Sequence, residues 1–499
     1  MLDNLLLGFS VALTPVNLLY CLLGVTIGTL VGILPGVGPL VTIALLLPVT
    51  FGLPPESALI MLAGIYYGAQ YGGSTTAILV NLPGETSSVV TCLDGHAMAR
   101  QGRAGPALAI AAIGSLAAGI FGTLLLVLVG PSLAEVALSF HAAEYFSMMV
   151  MALCATAALV HGSLLKGLLM ALLGILLGLI GTDVNSGISR FTFGVQGLAE
   201  GVNFAVLAIG VFALTEIVYS LRETDGRGGS RAAVTSLFPS RAELKASILP
   251  IARGTALGAF FGVLPGAGPS IAAFGAYIVE KKVSRTPERF GNGAIEGVAA
   301  PESANNAAAQ TSFIPTLTLG IPGSATMAVF LGALLIQGIT PGPRVITSHP
   351  ELFWGLIASM FIGNIMLLVL NLPMVGLWAS LLKVPYRWLF PAILVFSCIG
   401  AYSFQMSTTD VMLVAGFGLL GYVLRRLACE PAPFVLGFVL GPMMEENLRR
   451  ALLVSRGDPT IFVSRPISAA FLGCAVLIII ALLAPALRRR KEEAIEQSE

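Results

Sequence analysis

The sequence has 499 residues, of which 56% are hydrophobic and 11% charged, with a formal net charge of +1. A soluble domain carries roughly 25% charged residues, so this composition excludes an ordinary soluble enzyme, and the neutral balance leaves no basic face for a nucleic-acid partner. The apolar residues fall in continuous runs rather than in alternating ten-residue segments, which excludes an outer-membrane barrel.

Runs such as Leu116 to Val129, Met151 to Ile180 and Phe471 to Leu487 hold almost no charge. A bilayer core takes roughly 20 residues per helix, and the total apolar length suffices for about 10–12 transmembrane or re-entrant helices. The expected fold class is therefore an all-α polytopic membrane protein. The N-terminal run has no basic segment ahead of it and reads as mature sequence rather than a signal peptide.

No Lys or Arg occurs before Arg100, so the N-terminal region is expected to face outward. Within it, Gly32 to Pro39 reads GILPGVGP, Tyr66 to Thr76 reads YYGAQYGGSTT, and Asn81 to Ser88 reads NLPGETSS. Arg222, Arg227, Arg231, Arg241 and Lys245 then crowd the glycine-bearing segment 221–249, which marks a cytoplasmic linker. It divides the chain into a first membrane repeat, 1–220, and a second, 250–487, followed by a basic cytoplasmic tail, 488–499.

The second half repeats the first. GVLPGAGP at Gly262 to Pro269 follows GILPGVGP by 230 residues, and GIPGSATM from Gly320 follows NLPGETSS by 239. Such a repeat points to transporter architecture. Basic residues Lys281, Lys282, Arg285 and Arg289 follow the motif in the second half, whereas Gly52 to Glu56 in the first has none; Arg100 and Arg103 follow NLPG, against Arg344 alone after its counterpart. Equivalent loops thus lie on opposite sides, which predicts two inverted-topology repeats. Only about 30 residues separate Pro250 from Glu280, too few for two full spans and a turn. The spacing predicts re-entrant helical hairpins with tips at Pro35–Pro39 and Pro265–Pro269; a proline kink in a spanning helix is the alternative. Segment 443–465, with Arg449, Arg450 and Arg456, fits the crossing count only if the count is off by one, or if these arginines pair with Glu445, Glu446 and Asp458 at a membrane face.

Polar side chains at bilayer depth are costly unless paired or facing a wet cavity. The first-half polar stretch and its counterpart through Glu302, Ser303, Asn305, Asn306 and Gln310 are therefore read as a site, with small-residue helix packing as the bland alternative. No catalytic triad, phosphate loop or H-E-x-x-H is present, so neither an ATP-driven pump nor an enzyme is expected. Hard cations want oxygen donors, and Ser74, Thr75, Asn305 and Thr326 are the candidate Na⁺ ligands, with Glu302 the group for H⁺ coupling. No Lys or Arg lies in 1–99 or 291–343. A carboxylate substrate must then be held by the glycine breaks at Gly36, Gly38, Gly84, Gly266, Gly268 and Gly323, by Thr86, Ser87, Ser324 and Thr326, and by Asn305 and Asn306.

GILPGVGP with GVLPGAGP, the run YYGAQYGGSTTAILVNLPGE, Arg190-Phe191-Thr192-Phe193-Gly194 and PESANNAAAQ from Pro301 closely resemble the large membrane subunit of the tripartite tricarboxylate transporters, from about Leu22 to Pro466. The resemblance implies a secondary transporter of the bacterial inner membrane. It would import citrate-like carboxylates on a cation gradient, taking them from a periplasmic solute-binding protein and working with a small membrane subunit. No cofactor is expected beyond Na⁺ or H⁺ as coupling ion. A passive channel and a standalone carrier are the rival readings.

Overall fold

The computed structural model describes residues 1–34, 38–159, 164–183, 186–218, 238–381, 391, 394–395, 397–402 and 406–496. Gly36, the tip residue Pro35 and most of the 221–249 linker lie outside the described residues. Apart from a two-stranded ribbon pairing Gly181–Thr182 with Ser189–Arg190, the regular elements described are helices. Five are long and apolar enough to cross a bilayer: Pro15–Ile33, Ala104–Leu138, Arg241–Val263, Pro350–Asn371 and Thr408–Arg426. Seven more apolar helices are shorter. The chain is an all-helical, multi-pass membrane protein.

The helices used below are α1 (Leu2–Ala12), α2 (Pro15–Ile33), α3 (Pro39–Thr50), α4 (Pro55–Val80), α5 (Ala104–Leu138), α6 (Ala142–Leu159), α7 (Leu164–Gly178), α8 (Arg241–Val263), α9 (Gly268–Val283), α10 (Glu296–Thr311), α11 (Ala325–Ile336), α12 (Pro350–Asn371), α13 (Thr408–Arg426), α14 (Pro431–Val454) and α15 (Pro466–Glu496). They form two compact units. One joins Met1–Glu135 with Asn203–Tyr422, the other Val136–Val202 with Val423–Glu499, so each draws on both halves of the sequence.

In the larger unit the sequence repeat becomes a packing repeat. Gly24, Gly28 and Gly32 turn one face of α2 to α4, where a Cβ on each would lie 2.3–2.5 Å from the carbonyl oxygens of Met61, Ile65 and Ala69. Gly254, Gly258 and Gly262 of α8 meet the carbonyls of Ala300, Ala304 and Ala308 on α10 in the same way, at 2.2–2.5 Å. The offsets, 230 for the glycines and 239 for the carbonyls, are those of the sequence motifs. Glycine at every fourth position lets two backbones touch where lipid supplies no hydrophobic drive between helices.

Both α2 and α8 end for one reason. Leu34 and Leu264 each precede a proline, whose ring disfavours the helical region for its predecessor, and both are extended, with ψ of 114° and 127°. Pro39 and Pro269 then start α3 and α9 near N1, where a missing N–H costs nothing. The α8–α9 hairpin is clamped by Arg253, which donates to the buried Glu280 through Nε at 2.9 Å and Nη2 at 2.6 Å. These residues stand level on antiparallel legs, and from this clamp to the tip each leg runs about 15–18 Å, while α8 continues N-terminally from Arg253 back to Arg241. At the same offset the first half has Leu23 and Thr50 and no such clamp.

In the smaller unit, Gly174 and Gly178 of α7 admit the carbonyls of Phe434 and Phe438 on α14, and Ser147 of α6 meets Ser468 of α15 at 2.7 Å. Arg449 bridges Asp183 at 3.1 Å and Glu445 at 2.6 Å, Arg190 holds Glu445 at 2.7 Å, and Arg450 pairs with Glu446. The arginine pairing expected for 443–465 is thus present at Glu445 and Glu446. Asp458 instead accepts the Thr460 N–H at 2.9 Å, a bond that holds its carboxyl below the usual range.

Candidate substrate and cation site

Helix α4 runs unbroken through the polar stretch and ends at Asn81, whose positive φ of 57° turns the chain into the first break, 81–88. The second break, 320–324, lies between the helical turn ending at Thr318 and α11, and starts with Gly320 at φ 70°. The hairpin of each half also reaches the other half. Helix α9 packs on the turn Thr86–Ser88, where Thr86 and Ser270 hydroxyls meet at 2.7 Å, and α3 packs on α11.

Glycines make this convergence possible. A Cβ at Gly84 would sit 2.1 Å from the Gly32 carbonyl oxygen and 2.6 Å from the Gly73 Cα; at Gly323 it would sit 3.0 Å from the equivalent Gly262 oxygen. Gly266, at φ 80°, donates its N–H to the Gly323 carbonyl at 2.9 Å. Gly38 faces the Cβ of Glu85 at 3.8 Å, and Gly268 faces that of Ser324 at 3.4 Å. Glu85 and Ser324 therefore occupy equivalent places opposite the two hairpin starts.

The first break carries a carboxylate. Glu85 is partly buried and accepts from the Ser87 hydroxyl and from Asn305 Nδ2 at 3.2 Å. Gln70, with its amide nitrogen turned to this group, also donates to Glu85 and reaches Asn305 Oδ1 at 2.6 Å. Deeper in, the fully buried Glu302 accepts from Ser74 and Thr91. Among the described residues no Lys, Arg or His forms an ion pair with either carboxylate.

The second break carries hydroxyls. Ser324 caps α11 by accepting the Met327 N–H at 3.3 Å, Thr326 lies buried in the first turn, and the buried Tyr66 hydroxyl near Ser312 and Ser324 has no hydrogen-bond partner among the described residues. Tyr66 is the counterpart of Asn305, and Thr326 that of Ser87.

Of the residues expected from sequence, Ser87 and Asn305 gather at Glu85, Ser74 at Glu302, and Ser324 and Thr326 at the second break. Asn306 turns away, donating to Ser115 of α5 at 2.7 Å, and Thr75 lines a separate small cavity with Ser115 and Asn371. Sequence reading missed Glu85, Thr91 and Asp94, and placed Gln70 in the polar stretch without a role of its own. Glu85 had a signal, as the sole acidic residue between Glu56 and Asp94 in a stretch without basic residues. Asp94 anchors the far side of the first break: it is fully buried and accepts the N–H groups of Gly291, Gly293 and Ala294 at 2.8–2.9 Å and the Tyr277 hydroxyl at 2.9 Å.

Residues 18–436 match the tripartite tricarboxylate transporter TctA family. The chain belongs to that family. It is 54% identical, over 100% of its length and 99% of the relative's, to an uncharacterized 52.8 kDa protein of the TAR-I ttuC' 3' region of Agrobacterium vitis. It is also 57% identical over 242 residues to an uncharacterized protein of the TAR-II ttuC' 3' region of the same organism, covering 48% of this chain and 100% of that one. No solved structure matches. Both helix breaks and their hairpins lie inside the stretch matched by the TctA family.

Proposed function

We propose that this chain is the large permease subunit of a binding-protein-dependent, cation-coupled importer of small carboxylates across the bacterial inner membrane. Membership of the TctA family supports a tricarboxylate transporter subunit, and with it a small membrane subunit and a periplasmic solute-binding protein as partners. The observation that carries the coupling is the placement of two carboxylates, Glu85 and Glu302, without an ion-pair partner where two broken helices converge. Bringing a carboxylate substrate there bare is disfavoured, because buried charge is tolerated only when it is compensated. A cation taken up first supplies that compensation.

The two breaks divide the work. Glu85, Gln70, Ser87 and Asn305 offer oxygen to a cation, with Ser74 and Glu302 behind them. At the second break the α11 N-terminus, the backbone amides near Gly323 and the hydroxyls of Ser324 and Thr326 offer donors to an anion. A helix terminus contributes about 0.3 to 2 kcal/mol toward a unit charge, too little alone for a trianion, so substrate affinity rises steeply with cation concentration. On this reading the Arg253–Glu280 clamp stands at the cytoplasmic face, with the part of α8 before Arg253 outside the hydrocarbon core, so that the remaining legs reach roughly half of a 30 Å core as a re-entrant hairpin. Its first-half counterpart enters from the other face in an inverted repeat.

The test is uptake by proteoliposomes holding all three components, with labelled di- and tricarboxylates chosen by a ligand screen on the binding protein. Replacing Na⁺ by choline at constant pH should abolish uptake; unchanged uptake removes the sodium reading and leaves proton coupling through Glu302. Counterflow exchange should appear, and its absence would favour a channel. Impermeant maleimide should label a cysteine at Gly52 from outside and one at Ser284 from the cytoplasm; labelling from one side ends the inverted arrangement.

A further inference from the structure

Away from both breaks, the cavity that Thr75 lines lies between α4, α5 and α12, with Tyr71, Ser74, Ser115 and Asn371 as its other polar walls. It has room for about one water-sized group. Most hydroxyl hydrogens of its walls are committed elsewhere. Tyr71 donates to the Ala112 carbonyl at 3.4 Å, Thr75 to the Tyr71 carbonyl at 3.3 Å, and Ser74 to Glu302. Asn371 Nδ2 donates to the Leu367 carbonyl at 2.9 Å, which fixes the amide and leaves its buried Oδ1 without a donor. Ser115 accepts from Nδ2 of Asn306, which does not itself line the cavity.

The polar part of the wall is therefore mainly oxygen lone pairs, with the Ser115 hydrogen and the second Nδ2 hydrogen of Asn371 not bound to another acceptor among the described residues, and Leu108, Ala111, Ala112, Leu372 and Val375 complete the lining. Orphaned buried acceptors are costly, so an occupant that satisfies them is favoured. Lone pairs repel an anion, and hard cations select oxygen donors of this kind. The wall is formally neutral, and the nearest charge is the single carboxylate of Glu302 behind Ser74. One negative charge balances one positive charge, which selects a monovalent ion over a divalent one.

We propose that this cavity binds a monovalent cation of sodium class, held by Asn371 Oδ1 and the oxygens of Tyr71, Ser74, Thr75 and Ser115 and balanced by Glu302. The proposal rests on the cation-coupled reading and adds three ligands, Tyr71, Ser115 and Asn371, from outside the two breaks. It makes α12 a participant in coupling.

The experiment is equilibrium binding of ²²Na⁺ to the purified full chain in nanodiscs, without substrate, competed with unlabelled NaCl at constant ionic strength in choline chloride. Saturable binding is expected, weakened at least tenfold by Asn371→Ala and by the near-isosteric Thr75→Val, and retained or tightened by Asn371→Asp. Size-exclusion profiles identify folded variants, and Thr75→Val keeps the test decisive if Asn371→Ala does not fold. Wild-type affinity in a folded Asn371→Ala or Thr75→Val would overturn the site and assign the cavity to water, while Na⁺-driven uptake by the same variant would leave the cation-coupled reading standing. No ²²Na⁺ binding by the wild-type chain would overturn this site, and uptake under choline would then decide whether the sodium reading falls with it.

Discussion

The two helix breaks share a backbone and differ in chemistry. Each lies against a hairpin whose first helix ends before a proline and is seated on its neighbour by a glycine stripe, and whose second helix starts at a glycine that leaves room for one side chain of the break. That side chain is Glu85 in the first half and Ser324 in the second. Around Glu85 stand the amides Gln70 and Asn305; around Ser324 stand the hydroxyls of Tyr66, Ser312 and Thr326. Duplication has kept what makes the break and changed what fills it. A pair of equal sites would bind two equal ligands, whereas an acidic break facing a neutral, donor-rich one suits ligands of opposite charge.

The largest losses are expected at the stripes. Gly28→Leu and Gly258→Leu each force a branched side chain onto a carbonyl oxygen that a Cβ alone would approach to 2.5 Å or less. Each is expected to cost about 3 kcal/mol or more and to remove the monodisperse peak in detergent. Equal damage from both is the expected result; a harmless substitution in one half would show that the halves are not packed alike.

The hinge glycines are expected to differ. Gly84→Ala meets backbone at 2.1 Å and should lower the folded yield sharply, while Gly323→Ala, at 3.0 Å, should fold and lose transport only in part. Thermal unfolding of the two variants side by side checks this order. The clamp is a third difference. Arg253→Ala leaves Glu280 buried without its partner and should destabilise by about 3 kcal/mol, reduced by the half-exposure of Arg253, whereas Leu23→Ala at the equivalent first-half position loses apolar contact only.

The smallest stability effects should come with the clearest functional split. Glu85→Gln keeps the shape of the side chain and is expected to raise the half-saturating cation concentration by about tenfold or more, a loss of about 1.4 kcal/mol. Ser324→Ala removes a helix cap worth about 1 kcal/mol and should raise the half-saturating substrate concentration instead. Matching shifts in both parameters from both variants would erase the proposed division between the breaks.

The sequence carried the breaks because their signals are local: proline after leucine, glycine at fixed spacing, and two copies to compare. It carried Ser74 and Glu302 as polar residues in apolar surroundings, though not their contact across 228 residues. Glu85 was legible as a lone acid in an uncharged stretch and was passed over because its neighbours suggested an anion site. Asn371 and Ser115 gave no signal. Each is one of a few scattered polar residues in a long apolar helix, and only the packing of α4, α5 and α12 makes them neighbours. Asp94 likewise looks like an ordinary loop acid until three backbone N–H groups some 200 residues away are seen to converge on it.

The interlocked stripes also limit how this protein can move. With glycine at every fourth position and carbonyls seated in the gaps, α2 and α4 have one register, and so do α8 and α10. Sliding by a single residue would drive a side chain into a backbone oxygen, so shear between the partners is closed to them. Each pair behaves mechanically as one bar. Whatever rearrangement opens the site to one side and then the other must carry each bar whole, with the change in torsion angles concentrated in the non-helical residues at its ends.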